Sequence, residues 1–262
     1  MLPVLALIRC ALRPLCWGLL PWGLLRTLLI ATLAPATGAS GEPLPLPGDP
    51  AWRPITFPSI ERHTRFEAVD APEARSGRAW KARADCSASG MAVDVGPIDL
   101  VRDPQILSWR WRRRQLPAPV RNVEADERER AGDDFAARVY AMFELDPRRL
   151  GAWLRLRHSI ASRVLGRKLP GHLLNYVWAR RLPSGSDWRS PHDTPGHLIA
   201  LRSGGDAGWL EERVDLRVDH ERHFGTARTP LVAIGIMSDT DDHCSRAEAW
   251  FADLRLEPAR PD

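Results

Sequence analysis

Two adjacent carboxylates, Asp133 and Asp134, open the run D-D-F-A-A-R-V-Y-A-M-F, which ends at Phe143. Paired carboxylates are the acid and base of sugar hydrolysis, one held protonated and the other ionised by different surroundings. Neighbours on a strand point to opposite faces, so Asp133 and Asp134 do not form such a pair with each other. Asp134 needs a partner from elsewhere, and Asp239, Asp241 and Glu211 are the natural candidates for a hydrolase or lyase site. The structural alternative is that Asp133 and Asp134 cap a strand end or pair with Arg138 or another arginine.

The same run carries binding chemistry. Period-two alternation puts Phe135, Ala137, Val139, Ala141 and Phe143 on one face and Arg138 and Tyr140 on the other. The segment W-L-E-E-R-V-D-L-R-V, residues 209–218, places Leu210, Glu212 and Val214 on one face and Glu211, Arg213 and Asp215 on the other. Exposed charge ladders of this kind are ordinarily cross-strand ion pairs of small worth. On one concave sheet, however, Arg138, Tyr140, Asn175, Trp178 and Arg213 would suit a glycan or a small polar ligand. Indoles stack on pyranose faces, but most tryptophans in a chain of this size belong to the core.

Other signals fail. His220-Glu221-Arg222-His223 lacks the second histidine spacing of a zinc-protease helix, where Phe224 stands instead. Asp239-Thr240-Asp241-Asp242 starts like a calcium loop, but its sixth position is Cys244 and its twelfth is Trp250, which excludes an EF-hand. An irregular calcium site stays open. No phosphate-cradling glycine loop or nucleophile elbow occurs, so nucleotide and serine-hydrolase chemistry are unsupported.

These residues need a scaffold. Strand-like segments run at 65–69, 78–84, 90–95, 106–111, 135–143, 173–180, 197–202, 209–218, 231–237 and 250–256, separated by Gly, Pro and Asp turns. Such a series predicts an all-β fold, a β-sandwich or jelly roll of about ten strands. Helical periodicity appears in an amphipathic insertion at about 148–166, with a second short turn at 219–224. Residues 112–132 have almost no large apolar side chain and read as a disordered loop.

Before the sandwich come two other regions. Residues 1–39 combine Arg9, Arg13 and Arg26 with an apolar run and small residues at Ala34 and Ala36, as an export signal does. A retained anchor and a wrongly assigned start codon are the competing readings, and the anchor is the only membrane contact implied. Residues 40–58 are a proline-rich extended lead-in, residues 59–257 a single domain, and 258–262 a tail. The formal charge of +4 includes the three leader arginines, so it gives no argument for nucleic acid. Cys86 and Cys244 are the only cysteines after the leader, and in a periplasmic or secreted protein they form either one disulfide or two buried thiols.

Several phrases are shared in order across roughly residues 55–257: S-A-S-G at 87–90, S-W-R-W at 108–111, D-D-F-A-A-R-V-Y at 133–140, N-Y-V-W at 175–178, G-W-x-E-E-R at 208–213 and I-M-S-D-T-D at 236–241. In these the chain resembles the domain-of-unknown-function family numbered 3047. That resemblance implies an exported, jelly-roll-like protein and brings no established reaction, ligand or catalytic residue. His243 and Cys244 follow D-T-D-D where relatives are expected to carry small polar residues, which favours the disulfide and disfavours a shared metal loop.

Overall fold

Alternation inside the strands decides what faces inward. In a computed structural model, which describes residues 42–116, 118, 121, 124–144, 171–192, 196–225 and 229–259, thirteen strands form two sheets. They are β1 (Glu42–Pro43), β2 (Arg53–Ile55), β3 (Arg65–Asp70), β4 (Arg78–Asp85), β5 (Ala88–Ile98), β6 (Gln105–Leu116), β7 (Arg138–Phe143), β8 (His172–Ala179), β9 (Asp187–Arg189), β10 (Gly196–Ser203), β11 (Ala207–Asp215), β12 (Leu231–Asp239) and β13 (Arg246–Pro258). Among the described residues one α-helix, α1 (Leu216–Phe224), lies between β11 and β12. All described residues fall in one compact unit, Gly38–Asp262.

The six-stranded sheet runs β11-β6-β13-β4-β3, with β1 added on β13, and the seven-stranded sheet runs β2-β5-β12-β7-β8-β10-β9. Pairing is antiparallel except between β8 and β10, which departs from a purely antiparallel jelly roll. The inner faces meet in one core. Leu107, Trp109 and Trp111 of β6 face Leu174, Tyr176 and Trp178 of β8, with Val139, Ala141, Ile234, Ile236 and Phe251 around them. Trp109 lies 5.6 Å from Tyr176 and Trp111 lies 5.7 Å from Trp178, ring centre to ring centre. These aromatic pairs join the sheets. Buried Glu212 enters the core edge because it accepts from Trp111 Nε1 at 2.9 Å and pairs with Arg202 at 2.6 Å.

The ten anticipated strands are all present, and three short ones are new. The proline-rich lead-in supplies β1 and β2, which flank a sheet where proline's missing N–H does no harm. Three boundaries also differ. Asp133–Ala137 is not strand, so β7 begins at Arg138. The segment from Trp209 leaves the sheet after Asp215, whose carboxylate caps α1 by accepting from Arg217 N and Val218 N at 2.9 and 3.0 Å. Residues 112–116 belong to β6, and Arg130–Gly132 form a 3-10 turn. Glu127, nearby, is buried because it accepts from the backbone N–H groups of Arg180, Arg181 and Leu182. Residues 1–39 and the helix anticipated at 148–166 lie outside the described residues, and among the described residues no helix is long and apolar enough to cross a membrane.

Cys86 and Cys244 form a disulfide across 158 residues of sequence. It ties the β4–β5 turn to the β12–β13 turn, where Cys86 N donates to Ser245 O and Thr240 N donates to Ser87 O, both at 2.9 Å. The loop that carries D-T-D-D is therefore held at both ends.

Candidate functional site

The outer face of the seven-stranded sheet carries a polar row on β7, β8 and β12 beside a buried apolar cluster of Phe135, Val177, Ala179, Trp188, Leu198 and Ala200. On β7 the inward positions are Val139 and Ala141, so Arg138, Tyr140 and Met142 point outward. Register then sets their neighbours. Tyr140 stands between Asn175 of β8 and Gly235 of β12, while Arg138 stands between Val177 and Met237. Asp239 ends β12 on the same face, next to the irregular segment at 133–137.

At that end the aspartates converge. Asp134, Asp239 and Asp241 each offer an oxygen within 4.8 Å of the others. Asp239 is 4% exposed and accepts from Phe135 N at 3.0 Å and from Arg138 Nε at 2.8 Å; its second oxygen pairs with Arg138 Nη2. Arg138 also meets Asp133 Oδ2 at 3.4 Å and the Asp133 carbonyl. Burial opposes the Arg138 charge, but Asp133 and Asp239 together outweigh it and hold the guanidinium protonated. Asp134 accepts from Asp242 N at 3.1 Å, and from His243 N and Nδ1 at 2.6 and 2.8 Å. The two inner carboxylates are thus a hydrogen-bonded floor. Asp241 and Asp242 are half-buried on the loop above it.

Burial raises the Asp239 carboxyl well above the usual carboxylate range against the pull of Arg138, and the loop above the floor shifts the same way. Burial, then the charge of Asp134, raises the Asp241 carboxyl. Burial, followed by Asp134, Asp241 and Asp133, pushes Asp242 up to about 6. Between its usual value of 3.8 and about 6, folded Asp242 keeps a proton that the unfolded chain has lost. Stability is therefore expected to fall as pH rises through this window and to level off above it. Denaturant midpoints measured from pH 4 upward should show that slope in the wild type and a shallower one in Asp242→Asn.

Further along the face, the polar groups are less satisfied. The Oδ1 atom of Asn175, a residue 5% exposed, is buried with no hydrogen-bond partner among the described residues. Its cross-strand neighbour Tyr140 lies 3.2 Å from Met237 Sδ, a weak acceptor, and its hydroxyl also interacts with the Arg138 guanidinium. Burial raises the Tyr140 hydroxyl above the usual phenol range, which keeps it a donor. Gly235 and Ala92 beside Tyr140 carry little or no side chain in the same row.

Not every anticipated residue joins this face. Arg138, Tyr140 and Asn175 do. Trp178 does not, because its position in β8 has the inward parity of Tyr176, and it lies in the core 1% exposed. Arg213 belongs to β11 of the other sheet, where it pairs with Glu257. Glu211 is likewise on that sheet, bound to Arg75 at 2.8 Å. Arg138 is a buried structural ion rather than an open contact, and Asp239 is engaged by it. Asp242 and His243 were missing from the anticipated set; the carboxylate run at 239–242 was their signal, read there only as a calcium-loop fragment. Seven tryptophans, at 52, 80, 109, 111, 178, 188 and 250, are buried and offer no sugar platform.

These elements define a two-sheet β-sandwich with a polar strip on one outer face, ending in a disulfide-held aspartate loop. The chain belongs to the family described as Protein of unknown function (DUF3047), whose model matches residues 50–255. No curated protein matches it. Among solved structures, the chain is similar to a family 11 carbohydrate-binding module from Clostridium thermocellum in complex with a mixed-linked tetrasaccharide, at 8% identity and TM-score 0.39, covering 84% of this chain and 97% of that one. It is also similar to a cellulase derived from Cel12A of Rhodothermus marinus, at 10% identity and TM-score 0.41, covering 83% and 100%. Similarity at this level carries nothing about ligand or activity.

Proposed function

We propose that this protein is an exported binding protein that takes a hydroxyl-rich ligand, of the glycan type, on the outer face of its seven-stranded sheet. The observation that carries this reading is the buried Asn175 Oδ1, unpartnered among the described residues, at the position paired across the strands with Tyr140. A desolvated acceptor without a partner costs about 1–3 kcal/mol, which a ligand hydroxyl would recover. Tyr140 supplies a donor one strand away, and Asp241 and Asp242 supply acceptors at the loop end of the strip. The leader at 1–39 and the disulfide support a periplasmic or secreted location.

Asn175→Leu keeps roughly the same shape and removes the unpartnered amide. It is expected to raise the stability of the free protein by about 1 kcal/mol, or about 2–4 °C in Tm, while abolishing ligand binding. Thermal melts with and without cell-envelope polysaccharides check both halves. A variant that binds as the wild type does would remove Asn175 from the site.

A second reading has one observation in its favour. Burial and the charges of the neighbouring aspartates raise the proton affinity of Asp241 and Asp242, as a general acid requires. A hydrolase or lyase would use Asp134 with Asp241. We favour binding because the oxygens of Asp134 and Asp239 are engaged by His243, Arg138 and backbone N–H groups. Turnover of a bound polysaccharide that disappears in Asp241→Asn would reverse that preference.

A further inference from the structure

The H-E-R-H run that fails as a protease motif has a different geometry at the far end of the sheet. His220 and His223 lie one turn apart on α1, and each meets a histidine near the start of a strand. Parallel pairing of β8 and β10 brings those two strand starts side by side, with Gly196 opposite Leu173. His220 meets His172, Nε2 to Nε2 at 2.6 Å, and Thr229 Oγ1 lies 3.1 Å from each. His223 stacks on His197, with ring centres 3.8 Å apart and planes inclined by 21°. Asp187, on β9 beside β10, places Oδ1 3.0 Å from His197 Nε2.

We propose that Asp187, His197 and His223 form a binding site for a divalent late-transition metal of the zinc class. One donor atom from each of the three residues falls within 4.8 Å of the other two. Two imidazoles and a carboxylate are a donor set that zinc and its neighbours accept readily. Around a tetrahedral ion with bonds of about 2.0–2.1 Å, ligand atoms stand about 3.3 Å apart. The pair Asp187 Oδ1 and His197 Nε2 is near that spacing already, so the ion replaces the proton between them. His223 reaches the ion by turning out of its stack on His197, which its half-buried place in the last turn of α1 allows.

The surroundings suit exchange with solvent. The His197 and Asp187 side chains are 13% and 29% exposed, which leaves the remaining coordination positions open to water or a ligand. Arg222 contacts the other Asp187 oxygen at 3.4 Å and leaves Oδ1 available. Behind the site, the His172–His220 pair packs between Phe143 and Phe224 and fixes the helix against the strand starts. The D-T-D-D loop lies at the opposite ends of these strands, so this centre is separate from the aspartate floor.

The test is a titration of the metal-free, full chain with Zn²⁺ against a chromophoric chelator, alongside the visible absorption spectrum with Co²⁺. The proposal expects one equivalent bound, Co²⁺ bands of a nitrogen and oxygen site, and affinity reduced by more than about 10-fold in both His223→Ala and Asp187→Asn. Asp187→Asn is nearly isosteric, and circular dichroism melts establish that each variant is folded. No zinc bound by the wild type would overturn the assignment. Zinc bound equally by the wild type and both variants would overturn it too.

Discussion

Arg138→Ala is expected to lower stability by about 3–5 kcal/mol, the largest effect of any single substitution considered for this chain. Its guanidinium is buried and neutralises Asp239 while contacting Asp133. Removing it leaves Asp239 desolvated without a counter-ion and leaves Asp133 with His192 alone, 3.0 Å from its Oδ2. Urea unfolding of Arg138→Ala, Asp239→Asn and the double variant measures this. The double variant should lose much less than the two single losses added together, because the uncompensated charge is then absent. Equal and additive losses below about 1 kcal/mol would show that the pair is solvated and not part of the core of the site. Loss of ligand binding in Arg138→Ala would consequently say little about direct contact, and Asn175 is the better probe.

Breaking the disulfide is the second large effect. Cys86 and Cys244 are 158 residues apart, so the bond restricts the unfolded chain over most of its length. Cys86→Ser with Cys244→Ser is expected to cost about 3–5 kcal/mol. It also releases the loop bearing Asp241 and Asp242 from the β4–β5 turn, so ligand affinity should fall with stability. Melting curves of wild type with and without reductant, compared with the double serine variant, check the size. A change of under about 1 °C would mean that the hydrogen bonds of Cys86, Ser87 and Thr240 alone hold the loop.

How far the sequence reached depended on the kind of information each residue carried. A strand such as β6 was legible because alternation is local: Trp109 and Trp111 alternate with Arg110 and Arg112. β1, β2 and β9 were not, since two or three residues hold no period, and Pro43 and Pro54 argue against a ladder until an edge is available. The start of α1 was obscured because Leu216 and Val218 continue the alternation of β11, while the deciding event is the Asp215 cap. At the site, Arg138 and Tyr140 were placed on the outer face by parity alone. Trp178 was misplaced because it was grouped with Asn175 across an odd number of residues, which strand parity forbids. Arg213 was misplaced for another reason: which of two sheets a strand enters is a long-range choice that no local pattern encodes. The convergence of Asp134 with Asp239 and Asp241 was anticipated from residue type. That Arg138 would sit beside them, and make Asp239 structural, required the register of β7 against β12.

The histidines illustrate the same limit. H-E-R-H fits no protease spacing, and nothing near it in sequence shows that His172 and His197 would be delivered to it by two parallel strands. Only the β8–β10 pairing does that.

The most direct test of the central claim is a thermal-shift screen of wild type and Asn175→Leu against cell-envelope polysaccharides, each with calcium and with chelator. Binding to the outer face is expected to raise the wild-type Tm with at least one polysaccharide. Asn175→Leu should melt at or above the free wild type and show no such rise. A polysaccharide that stabilises both proteins equally would contradict the account, as would silence of the wild type across the whole panel.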